Sequence, residues 1–263
     1  MKPVFTLFIA LSMLISYTTP VSADGAADKG LQIAKISKSR DLGWSDIQAT
    51  MTMILKNSHG ETSIRKMHIK VLEQTQDGDK SLTVFDSPND VKGTAFLSFS
   101  HPNANDEQWL YLPALKRVKR ISSRNKSGSF MGSEFAFEDL TSFEVEKYDY
   151  RYIKDEKLNG VATFVVENYP KDKYSGYKRR VTWVGKAEYR MLKIDFYDRK
   201  NTLLKTLHFN QYKQYLGKYW RAQQMVMINH QSGKSTELQW QAYRFKTGLK
   251  QSDFNRNALK RAR

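Results

Sequence analysis

From Ala49 to Phe245 the chain is a succession of short, β-rich runs divided by turn signals, and no other feature narrows its fold so much. ATMTMILK, SIRKMHIKVLE and KSLTVFD are separated by SHGE and QDGD, and Thr94–Phe99 and Gln108–Leu112 come next. Runs of β-branched and aromatic residues bounded by Gly, Asp, Asn and Ser are strand and turn chemistry. Glu144–Tyr152 and VATFVVENY lead on through Asn159-Gly160, a dipeptide suited to a two-residue hairpin because both residues tolerate positive φ. YKRRVTWV, YRMLKIDFYD, LLKTLHFNQYKQY, KYWRAQQMVMIN and STELQWQAYRF complete the series. Short strands with close turns predict an antiparallel meander.

The faces of these strands say more than their number. Leu192, Ile194 and Phe196 alternate with Lys193, Asp195 and Tyr197, so one side is apolar and the other wet. Val181 with Trp183, Leu203 with Leu207 and Phe209, and Leu238 with Trp240 and Ala242 divide in the same way. Such a sheet must cover its apolar face. Helical spacing is confined to Asp24 to about Leu42, where Gly30 weakens the pattern and Gly43 stops it, to the Phe135–Phe143 region, and to a turn near Asp253–Leu259. That is too little helix to cover a wide flat sheet. The expectation is a mainly β (α+β) fold, a curled antiparallel sheet with an apolar hollow, forming one domain from residue 24 to 263.

MKPVFTLFIALSMLISYTTPVSA reads as a secretory signal peptide (residues 1–23) with cleavage after Ala23, since its apolar run is shorter than a spanning helix needs. With no cysteine in the chain, disulfides, thiolate metal sites and a lipidated cysteine are all excluded. The expected location is the periplasm, in soluble form. A formal charge of +16 favours anionic partners such as acidic headgroups or an acidic protein face, and export argues against nucleic acid.

Convergent chemistry is scarce. The five histidines (His59, His68, His101, His208, His230) show no metal-ligand spacing, and SGSFMGSE matches neither the nucleophile elbow nor the phosphate loop. Glu134, Glu138 and Asp139 could be imagined as an acid/base pair for sugar hydrolysis, but helix-start capping explains adjacent carboxylates more simply. No catalytic residue, cofactor or metal is expected.

Lys116, Arg117, Lys119, Arg120 and Arg124 place cations on both faces of one strand, the pattern of an edge strand protected from unwanted pairing, and equally of a contact for anionic headgroups or a partner. Phe130, Met131, Phe135 and Phe137 follow in a stretch otherwise made of Gly, Ser and acids. They read either as pins holding a loop to the core or as a movable lid, with Gly128 and Gly132 as its hinges.

WLYLPALKRVKRISSRNKSGSFMGSEFAFEDL resembles the signature of the LolA-like outer-membrane lipoprotein-sorting proteins: a W-x-Y-x-P strand end, a basic strand, then S-G-S-F-M-G-[ST]-[DE]-F and an aromatic followed by E-D. The later V-T-W-V, Y-R-M-L-K-I-D-F-Y-D, L-L-K-T-L and S-x-x-T-x-L-Q-W runs are similar to that family too, so the likeness spans most of residues 30 to 250. The resemblance implies an incomplete antiparallel β-barrel, LolA/LolB-like, with a few helices over its concave apolar side. It implies a carrier of lipid or acylated lipoprotein cargo, with an inner-membrane transporter of the RND or MMPL type as partner. Trp109, Tyr111, Pro113, Gly128, Phe130, Met131, Gly132, Phe135, Phe137, Glu138 and Asp139 match the motif.

Two functions are carried forward. The first is a non-enzymatic periplasmic carrier with acyl chains in an apolar cavity, for which the wall and lid candidates are Trp109, Tyr111, Phe130, Met131, Phe135, Phe137, Trp183, Leu192, Ile194, Phe196, Leu207, Phe209 and Trp240. The second is an accessory subunit that carries nothing and docks on an RND/MMPL-type pump through its basic face.

Overall fold

Strands form where the alternation asks for them, and most pair with their neighbour in sequence. The computed structural model describes residues 23–261, so the signal-peptide segment up to residue 22 lies outside the described residues, and Ala23 opens the first helix. Helix α1 (Ala23–Arg40) is followed by β1 (Asp46–Lys56), β2 (Thr62–Leu72), β3 (Lys80–Ser87), β4 (Ala95–Phe99), β5 (Glu107–Leu112) and β6 (Arg117–Ile121). After residues 122–147 come β7 (Tyr148–Leu158), β8 (Val161–Pro170), β9 (Tyr177–Gly185), β10 (Met191–Asp198), β11 (Leu203–Tyr215), β12 (Tyr219–Asn229) and β13 (Ser235–Phe245), then the short helix α2 (Arg256–Arg261). Asn159 and Gly160 both take positive φ between β7 and β8, as the hairpin requires.

All thirteen strands belong to one sheet in the order β6-β5-β4-β3-β2-β1-β13-β12-β11-β10-β9-β8-β7. Two meanders are joined by the antiparallel pairing of β1 with β13. So β6 and β7, consecutive in sequence, end at opposite edges, and residues 122–147 must travel from one edge to the other. A strongly twisted sheet of this width curls, and the shortest path between its edges lies across the hollow.

Register separates two faces. Met51 opposes Met67 and Met67 opposes Phe85; Phe96 opposes Leu110 and Ile194 opposes Leu207. These residues, with Phe196, Met227 and Leu238, form the main apolar cluster on the inner face. α1 covers the far end of that face, packing Ile33 and Ala34 on Tyr150, Val166 and Val184. Its glycine has a packing reason: a Cβ at Gly30 would lie 2.8 Å from the backbone nitrogen of Tyr152 on β7. The outer face near β3–β5 has its own cluster, Leu82, Leu97 and Trp109, capped by Phe254 and by Leu259 of α2. Asp46 ties that C-terminal arm to the sheet by accepting the backbone N–H groups of Thr247 (2.7 Å) and Gly248 (3.2 Å).

Candidate functional site

The connection from β6 to β7 is the plug of the half-barrel. Ser129 pairs with Ala136 as an isolated antiparallel bridge, so residues 129–136 form a tight hairpin whose tip, Met131 and Gly132, sits in the left-handed region. Phe130 (1 % exposed), Phe135 and Phe137 are driven into the inner cluster. Ring centroids lie 5.1 Å apart for Phe96–Phe130, 5.7 Å for Phe130–Phe137 and 5.9 Å for Phe85–Phe130. Met131 packs at the margin of the same cluster. Burying one phenylalanine is worth about 1.5–3 kcal/mol, so the three contribute roughly 5–9 kcal/mol to keeping the hairpin in place.

Polar contacts hold the hairpin from several strands. Lys205 of β11, 4 % exposed, donates to Asp139 Oδ2 and to the Glu134 carbonyl, each at 2.7 Å. Asp139 also accepts from the Ala136 N–H and the Tyr177 hydroxyl, both on Oδ2 at 2.7 Å and 3.0 Å, with a second contact from that hydroxyl to Oδ1 at 2.8 Å. Glu138 turns the other way and accepts from Ser175 Oγ and the Gly176 N–H at 2.7 Å. Burial, and then the neighbouring Asp139 carboxylate, push the Glu138 pKa above its ordinary value. Glu134 accepts from Asn229 Nδ2 at 2.7 Å, Gln108 Nε2 donates to the Phe137 carbonyl at 2.8 Å, and Arg65 to the Met131 carbonyl. The three acids considered for catalysis are thus held by separate structural partners. Among the described residues no cluster of His, Asp or Glu could hold a metal ion.

Beside the plug a half-open cleft of about 580 Å³ lies between the end of α1, residues 142–143 and strands β10–β12. Phe143, Met191 and Phe209 give it an apolar wall, Tyr189, Tyr212 and Trp220 an aromatic one, and Lys38, Arg40, Arg190 and Lys218 bring cations to it. Met191 and Phe209 also pack against the main inner cluster, so the cleft opens onto the plugged hollow. The size is that of a small-ligand pocket.

The structure brings together Phe130, Met131, Phe135, Phe137, Ile194, Phe196, Leu207, Phe209 and Trp240. It separates four other wall candidates from them. Trp109 and Tyr111 pack in the outer cluster, and it is Leu110 that faces inward. Trp183 lies with Val165 and Val181 in another cluster, since its partner across the ladder is Lys193, not Ile194. A register irregularity between Met191 and Lys193 brings Met191 into the inner cluster in place of Leu192. Of the hinge candidates, Gly132 has φ 77° and open space around it, whereas Gly128 is an ordinary turn residue close to the Asn125 carbonyl. β6 is an edge strand; Lys116, Arg117 and Lys119 are exposed, Arg120 pairs with Glu107 at 3.0 Å, and the Arg124 guanidinium lies 5.8 Å from the Tyr174 ring centroid.

Lys205, Tyr177 and Gln108 escaped the sequence reading. Lys205 carried a usable signal, because it falls on the same alternation as Leu203, Leu207 and Phe209. A lysine in phase with an apolar face needs a buried acceptor.

An open antiparallel half-barrel defines a class of fold, and comparison with known proteins places the chain within it. It is similar to a solved domain from Vibrio parahaemolyticus described as an outer membrane lipoprotein-sorting protein domain, with 63 % identity, TM-score 0.88, and coverage of 89 % of this chain and 99 % of that one. A DUF1329 family protein from Desulfovibrio piger has 31 % identity and TM-score 0.84, with the same coverage of both chains. A LolA superfamily protein from Nitrosomonas europaea, at 18 % identity and TM-score 0.70 over 87 % of this chain and 99 % of that one, shares the fold. The sequence model of a family described as uncharacterized protein matches residues 77–261. No curated protein matches. This chain belongs to the family of the outer membrane lipoprotein-sorting protein domain and the DUF1329 protein, and its fold is LolA-like.

Proposed function

We propose that this protein is a non-enzymatic periplasmic carrier that takes acyl chains of a lipid or lipoprotein at its inner face and moves them toward the outer membrane. The observation that carries the reading is the closure of that face. A chain segment with three buried phenylalanines covers it, and a cleft of about 580 Å³ adjoins it. Each methylene that leaves water contributes about 0.8 kcal/mol, so an acyl chain of about 16 carbons gains on the order of 12 kcal/mol. That is of the same order as the roughly 5–9 kcal/mol of burial lost if Phe130, Phe135 and Phe137 swing out together with about 3–5 kcal/mol for parting the buried Lys205–Asp139 pair. Without cargo the hairpin therefore stays shut, and an acyl chain brings opening within reach. The kinship to a lipoprotein-sorting domain supports the same reading, and no helix among the described residues is long and apolar enough to cross a membrane.

Native mass spectrometry and solvent extraction of freshly purified protein test this. Stoichiometric acyl lipid or lipopeptide is expected, reduced when Phe209→Glu places a charge in the cleft wall. Protein that is lipid-free on purification and takes up no fatty-acylated probe would overturn it.

A second reading, docking on an RND/MMPL-type pump without cargo, is favoured by the exposed cations of the edge strand β6. Reversing Lys116, Arg117 and Lys119 to Glu would then abolish pump association in a protein that carries no lipid. As a carrier, the same variant keeps its lipid.

A further inference from the structure

The ladder between β12 and β13 is incomplete. It runs from Ile228↔Ser235 to Gln224↔Gln239 and stops, although β12 begins at Tyr219 and β13 continues to Phe245. The strands fork there, and the fork holds a groove of about 590 Å³ that shares no lining residue with the cleft beside α1. Five glutamines line it: Gln211, Gln223, Gln224, Gln239 and Gln241. Tyr215, Trp240 and Tyr243 supply rings, Lys213 a cation, and no carboxylate is among the described residues of its wall.

Three features set this place apart from ordinary sheet. Gln211 and Ala242 hold φ of 54° and 52° within strands, a conformation that non-glycine residues adopt at a cost and that gathers at ligand sites. The Trp240 indole Nε1 is buried without an acceptor, whereas buried donors are nearly always paired. The exposed side-chain amides of Gln211 and Gln241 hold no partner among the described residues.

These features select a ligand chemistry. Gln223 donates to the Arg221 carbonyl, and Gln224 and Gln239 to Glu237, which leaves the amides of Gln211 and Gln241. A primary amide donates and accepts without charge, so these two suit a ligand that offers both donors and acceptors and is neutral. An acyl chain would leave those amides unpaired, and an anion would meet one lysine. An inserted peptide strand would have to part rings that already bridge the fork, Tyr215–Phe245 at 5.3 Å and Tyr219–Phe245 at 6.2 Å between centroids. A sugar ring offers hydroxyls to the amides and a C–H face to the aromatics.

We propose that the fork between β12 and β13 is a saccharide-binding groove for a neutral oligosaccharide. Gln211 and Gln241 bond its hydroxyls, and the sugar, or a water it holds, supplies the acceptor that Trp240 lacks.

Calorimetric titration of the full protein with chitotetraose and with maltotetraose, two neutral tetramers, tests this beside the anionic tetragalacturonate. Saturable binding of at least one neutral tetramer is expected, weakened about tenfold by Gln211→Ala and by Gln241→Ala. Both positions are exposed, and unchanged thermal melting would verify the fold. Trp240→Phe, which keeps a ring and removes the N–H, should weaken binding as well. The proposal falls if neither neutral tetramer binds folded wild type up to about 10 mM, if only the galacturonate binds, or if both glutamine variants bind like wild type. Gln211 and Gln241 belong neither to the cleft nor to the inner cluster, so the outcomes for their variants are independent of whether the protein carries lipid. Trp240 also packs against the inner cluster, and the lipid content of its variant is measured alongside.

Discussion

Lys205 and Asp139 show what single residues contribute to closure. Both side chains are 5 % exposed and their charged atoms lie 2.7 Å apart, so Lys205→Met leaves a buried carboxylate without its cation. Breaking a buried pair from one side costs about 3–5 kcal/mol; urea unfolding should register that loss, and the double variant with Asp139→Asn should recover part of it. Glu138 gives a pH signature. Its carboxyl is raised in the folded protein by burial and by Asp139, so between the unfolded value near 4.5 and the higher folded value the unfolded chain releases its proton first. The contribution of this group to stability is therefore full below about pH 4.5 and is lost as the pH rises through the folded value. Glu138→Gln should flatten that part of the stability profile when urea midpoints are measured from pH 4 to pH 8. An unchanged slope would mean that Glu138 is not the group responsible.

Among the elements, α1 offers a test in which local and tertiary effects have opposite signs. In an isolated helix Gly30→Ala would stabilise by about 1 kcal/mol. Here the added Cβ meets Tyr152 N at 2.8 Å and backbone atoms of Arg151 at 3.0 Å, which cannot swing aside as a side chain can. Overpacking costs about 1–3 kcal/mol, so a lowered melting temperature is expected; a raised one would mean that α1 does not press on β7. The strands, the Asn159-Gly160 hairpin and the edge position of β6 were legible because each follows from local residue chemistry. The faces were legible only in part. Trp109 and Tyr111 alternate correctly with Leu110, but α2 gives the outer face of β5 an apolar cover of its own, so apolar character alone did not say which side was inner. Leu192 was misplaced by a register irregularity that no local signal announces. That Phe130, Phe135 and Phe137 would pin or lid the hollow was legible. The route of the segment was not, because it follows from the pairing of β1 with β13, a contact between the two ends of the chain's strands, which sends residues 122–147 from one edge of the sheet to the other. The run of phenylalanines showed that the segment would be buried, but not against which strands.

At the scale of the whole molecule, charge and hollow lie apart, and the proposed carrier function gives each its own task. The chain carries a formal +16, and the exposed cations Arg117 and Lys119 stand on the free edge strand β6 with Lys116 immediately before it, while the apolar cluster and the plug lie on the inner face. A field of this sign draws the protein toward anionic bilayers over a Debye length of about 8 Å at physiological salt. Each cation near such a surface contributes about 1 kcal/mol. Neutralising these three should therefore weaken binding to phosphatidylglycerol vesicles by about 3 kcal/mol, on the order of a hundredfold, and reversing them to Glu should weaken it further. The loss should shrink as salt is added, and vesicles of neutral phosphatidylcholine should bind neither form. The lipid that co-purifies should be unchanged, because the proposed carrier site lies on the inner face and not on β6. Vesicle sedimentation at two salt concentrations, with extraction of the same samples, reads both quantities at once. If the reversed protein binds anionic vesicles like wild type, β6 is a protected sheet edge and nothing more; if it loses its lipid as well, headgroup contact and acyl burial share one site, and the separation of rim from hollow drawn here is wrong.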